Sequence, residues 1–71
     1  MTDNSVYKVI ELVGTSTESW EKAAANAVLR ASKTLRDLRI AEVTAMDMHI
    51  NEGKIEYYRT KVKVSFKYED L

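Results

Sequence analysis

IEYYRTKVKVSFKY, residues 55–68, is the stretch whose reading decides the fold. Tyr58, Thr60, Val62, Val64, Phe66 and Tyr68 fall on one parity, and Arg59, Lys61, Lys63, Ser65 and Lys67 on the other. A period of two sustained this long belongs to a β-strand with one face on a core and one in water. Just upstream, Asn51-Glu52-Gly53-Lys54 reads as a hairpin turn, with Gly53 suited to a positive φ. Residues 38–50 therefore pair back on the last strand. In that segment Ala41, Val43 and Ala45 share one phase, while Met46, Met48 and Ile50 share the other. Either a bulge near Ala45 switches the faces, or both faces are covered in turn.

Working further outward, the period changes. Trp20, Ala24, Ala27, Val28, Ala31 and Leu35 lie on one face at 3.6 residues per turn, opposite Glu18, Glu21, Lys22, Asn26, Arg30 and Lys33. A helix to about Leu35 is predicted, starting in Thr15-Ser16-Thr17, where Thr15 and Glu18 match a capping box and Ser16 or Thr17 is the alternative cap. Before it, residues 5–13 form a strand with apolar side chains on both faces, ended by Gly14. The order is β-α-β-β. The fold class is α+β, one helix against a sheet.

With 71 residues the chain is one domain, residues 1–71, with an ordered core over about residues 5–68. So short a chain buries only about 60% of its unfolded surface. It contains no cysteine, so neither disulfides nor a cysteine-rich zinc site can compensate. Self-association is the expected staple. Eleven basic residues balance eleven acidic ones, so bulk charge attracts neither nucleic acid nor anionic lipid. No apolar run approaches a membrane span, and Met1 to Ser5 lack a basic and apolar leader. A cytoplasmic location is the expectation.

Catalytic chemistry finds little support. The only histidine is His49, and two glycines exclude a glycine-rich phosphate loop. Asp47, His49 and Asn51 alternate along one strand, a geometry that suits a metal as well as an ordinary polar face. The oxygens of residues 15–18 are a fainter candidate for a hard cation. Arg59, Lys61, Lys63 and Lys67 form a basic row fit for phosphate, or simply for a solvated sheet face. Trp20 sits on the apolar stripe and reads as core or interface.

Several stretches together resemble the dodecins. Residues 6–16 (VYKVIELVGTS) are similar to that family's opening strand and loop. The helix end Arg30-Ala31-Ser32-Lys33-Thr34-Leu35, then Ala41-Glu42-Val43, then residues 61–66 follow in the family's order. The resemblance implies a three-stranded antiparallel sheet curled around one helix, assembled as a hollow homododecamer. It implies a flavin ligand, FMN or riboflavin, stacked between tryptophans and read by a glutamine, with storage rather than catalysis as the role. The matching flavin-site positions here are Ile40, in the tryptophan's place, Arg59, in the glutamine's place, and Glu42. Aliphatic Ile40 gives up aromatic stacking, and Arg59 carries donors only and favours an anionic group. Weakened or lost flavin binding is therefore expected. The chain also resembles, at Ser19-Trp20-Glu21 and around Arg59, a branch without the stacking tryptophan that is associated with calcium. Three readings result: a small-ligand-binding dodecamer, a calcium-bound structural dodecamer, and a nucleotide- or RNA-binding module on Arg59, Lys61 and Lys63, with nucleic acid the least favoured.

Overall fold

The computed structural model describes residues 5–68. Four elements follow in order: β1 (Tyr7–Ser16), α1 (Trp20–Ser32), β2 (Leu38–Asn51) and β3 (Lys54–Lys67). The sheet order is β1-β3-β2, antiparallel throughout. β3, whose alternation is the cleanest, is the central strand, and the middle of its inward parity is buried. Thr60, Val62 and Val64 are its fully buried residues. Ala27 packs on the two valines, with Ile10, Leu12, Ala24 and Leu38 around them. Thr60 is polar, and its hydroxyl donates to the Trp20 carbonyl at 2.9 Å, which satisfies it inside the core.

The hairpin forms as expected. Glu52 and Gly53 have φ of 51° and 76°, the two positive angles of a type I′ turn. The register shifts between Val43 and Ala45, which favours the bulge over the alternative of two covered faces, and also at Leu38/Ile40 and His49/Ile50.

Three boundaries differ from the sequence expectation. Gly14 does not end β1; it lies inside it, opposite Thr60. A Cβ there would stand 1.9 Å from the Ala23 carbonyl oxygen, so glycine is required by helix-to-strand contact rather than by a turn. The helix cap is Ser19, not Thr15, Ser16 or Thr17. Its side chain accepts from the Lys22 N–H at 3.0 Å, whereas the Ser16 hydroxyl accepts from the Glu18 and Ser19 amides ahead of the helix. The helix stops at Ser32, and Thr34 and Leu35 only fold their amides back on the Ala31 carbonyl. Its buried residues are Ala23, Ala27 and Ala31, so the inward line includes Ala23, which lies off the predicted stripe. Asn26 is no free solvent-face residue either, since its amide donates to the Thr15 carbonyl and ties α1 to β1.

α1 lies over β1 and β3 and scarcely reaches β2. Much of β2 is therefore uncovered: Val43 is 50% exposed, Met46 59% and Ile50 62%. Tyr7, Val9 and Val13, on the outer face of β1, are also exposed. Within one chain only one face of β1 is covered. Among the described residues no helix is long and apolar enough to cross a membrane.

Candidate functional site

Ile40, Glu42 and Arg59 occupy the same face of the sheet, the face away from α1. The register shows this: Ile40 is opposite Ser65, Glu42 opposite Lys63 and Asp47 opposite Arg59, all on the outward parity of β3. They are not close together. Ser65 and Arg59 are six residues apart on β3, so Ile40 and Arg59 are separated by roughly 20 Å along the strand. Ile40 lies on an edge strand and is exposed. Glu42 is likewise exposed, in register with Lys63, whose other neighbour is Glu11.

Arg59 is not a free cation. Its Nε donates to Asp47 Oδ1 at 2.6 Å and its Nη2 to Oδ2 at 2.9 Å, a two-pronged pair across β2 and β3. The guanidinium's hydrogen bonds and charge hold the Asp47 carboxyl below the usual carboxylate range, and the carboxylate in turn raises the Arg59 value. The Asp47 backbone carbonyl accepts from Trp20 Nε1 at 3.0 Å. The Tyr58 ring meets the indole edge-on, with centroids 4.9 Å apart, while Thr60 donates to the Trp20 carbonyl. Trp20, Asp47, Tyr58, Arg59 and Thr60 thus form one knot where the helix start meets the β2–β3 ribbon. Trp20 reads as core or interface from the sequence, and in the chain it is a half-buried anchor.

The metal candidates do not converge. Asp47 is committed to Arg59, while the His49 Nδ1 lies 2.9 Å from Glu56 Oε1 and its ring stacks on Tyr57. The register shift after His49 takes Asn51 out of step with them. In the loop ahead of α1, Ser16 is engaged with backbone amides and Glu18 pairs with Lys22. Among the described residues no three His, Asp or Glu side chains gather into a metal-holding group. The basic row keeps Lys61, Lys63 and Lys67, with Arg59 withdrawn into its ion pair.

Asp47 as the partner of Arg59 is the feature that sequence reasoning missed. Counted outward from the Asn51–Lys54 pair, an unbroken hairpin sets Asp47 opposite Tyr58. The irregularity at His49/Ile50 moves it by one, opposite Arg59.

Comparison with known proteins places this geometry. The dodecin family model matches residues 6–69. A protein named calcium dodecin from Mycobacterium tuberculosis is 55% identical over 64 residues, covering 89% of each chain. A solved structure of calcium dodecin from the same organism, described as having a novel calcium-binding site, is 53% identical with a TM-score of 0.82, covering 92% of this chain and 93% of that one. The dodecin structure from Streptomyces coelicolor is 38% identical with a TM-score of 0.92, covering 99% of this chain and all of that one.

Proposed function

The chain belongs to the dodecin family, and on that premise we propose that it is a non-enzymatic binder of a small planar ligand, held where copies of the chain meet in a dodecamer. One observation carries this reading. Ile40 and Arg59 share a sheet face yet stand roughly 20 Å apart in one chain, so a pocket using both needs a second copy. The uncovered apolar surface of β1 and β2 supports the same assembly, since isolated chains rarely expose so much. Flavin is the ligand class, bound more weakly than in relatives whose site offers an aromatic platform. Ile40 contributes apolar area without stacking, and Arg59 contributes N–H donors.

The test is a riboflavin and FMN titration of the purified protein, followed by flavin fluorescence beside light scattering. A saturable rise in flavin fluorescence anisotropy in a particle of about 97 kDa (twelve times 8.1 kDa) is expected, since Ile40 supplies no aromatic donor to quench the ring. Ile40→Trp should tighten binding by about tenfold, from one restored stacked pair. Flavin fluorescence anisotropy unchanged by the assembled protein would remove the reading.

Calcium is the second reading, favoured by the likeness to calcium dodecin. With no three-residue carboxylate group in the described part of one chain, its ligands would come from several copies. A chelator should then lower the melting temperature and added calcium restore it. An unmoved melting curve would exclude a structural calcium.

A further inference from the structure

Resting on the ligand reading above, we infer that Asp47 sets the charge selectivity of the site, so that an uncharged, carbonyl-bearing planar ligand is taken in preference to its phosphorylated counterpart. A lone arginine at position 59 offers a planar fork, which is the geometry a phosphate group binds best. Here the fork is already filled. Asp47 meets Nε and Nη2 at 2.6 and 2.9 Å, with two parallel hydrogen bonds of the kind a phosphate would make. The carboxylate also brings a full negative charge to the place where a phosphate would sit.

What remains of Arg59 is still useful. A guanidinium has five N–H donors, and Asp47 takes two of them, which leaves three on the side away from the carboxylate. Those three match neutral carbonyl acceptors without rewarding charge. Asp47 is a positioning residue, since it acts on the ligand through Arg59. It is also held from behind, because its carbonyl receives the Trp20 indole N–H. Its backbone cannot move away from Arg59 without breaking the knot at the start of α1. Lys61, next on the same face and opposite uncharged Ala45, remains a point charge about 7 Å along the strand and lacks a fork. It is common to the wild type and the variants below, so a change in selectivity isolates Asp47.

The experiment measures riboflavin and FMN dissociation constants on assembled wild type, Asp47→Asn and Asp47→Glu, with assembly checked by light scattering. Removing one charge at this distance should raise the FMN-to-riboflavin affinity ratio by about tenfold in Asp47→Asn. Asp47→Glu keeps the charge and should keep the wild-type ratio, and the gain in Asp47→Asn should shrink in high salt. Both flavins bound with an unchanged ratio in Asp47→Asn would overturn this inference and leave the ligand reading standing. Neither flavin bound by any of the three proteins would overturn both. If Asp47→Asn does not assemble, Arg59→Gln replaces it: leaving the carboxylate unpaired should lower the ratio by about tenfold, and an unmoved ratio there overturns the inference equally.

Discussion

Residue 14 has room for a hydrogen atom and nothing larger. An added methyl would meet the Ala23 carbonyl oxygen at 1.9 Å and the Ala27 Cβ at 3.0 Å, both parts of a helix that cannot yield locally. Gly14→Ala should therefore cost about 2 kcal/mol or more in urea unfolding, the upper range for an overpacked contact. A loss under a few tenths would mean that the helix rides easily on β1. Asp47 is the other residue with a sharp consequence. Its carboxyl titrates lower in the folded chain than in the unfolded one because Arg59 holds the charged form. The stability it contributes is thus full above the unfolded value and is lost as pH falls through the folded one, below about pH 4. Stability followed by acid titration should fall less steeply in Asp47→Asn than in the wild type; identical slopes would show that the pair adds nothing. Position 59 reads as an available cation from composition alone. Only the register reveals that its charge is spent.

Among the elements, the β2–β3 ribbon is the most legible and also the most deceptive. Its turn and the inward parity of β3 are written in residues 51–68, and the exchange of apolar phase near Ala45 marks a bulge as one of two readings. The second irregularity, after His49, leaves no such mark. Ile50 and Ile55 are exposed on both strands there, so no buried face records the slip. The helix shows the same division. Its existence follows from alanine content and period, but its first residue depends on which of several adjacent hydroxyls caps it. Ser19 is the cap, while the Ser16 hydroxyl is taken up by the Glu18 and Ser19 amides. The turn itself can be improved. Glu52 holds φ 51° without the short side chain that favours it, so Glu52→Asn should stabilise the hairpin by several tenths of a kcal/mol in thermal unfolding. A destabilised variant would show that Glu52 makes contacts in the assembly.

At the scale of the molecule, the described residues bury only five apolar side chains, three alanines and two valines, a thin core. In the proposed assembly, contacts between copies supply the missing stability, so unfolding and dissociation should be one process. The melting temperature should rise with protein concentration. A concentration-independent melt from an 8.1 kDa species would contradict assembly as the source of stability. The knot at the start of α1 supplies the means to watch this. Trp20 is the sole indole of the sequence, fixed by one hydrogen bond and one ring contact where helix, β2 and β3 converge. Every photon of tryptophan emission comes from that junction. A red shift would time the moment the helix leaves the ribbon, and resonance transfer to an added flavin would gauge how near that probe comes, with no label attached.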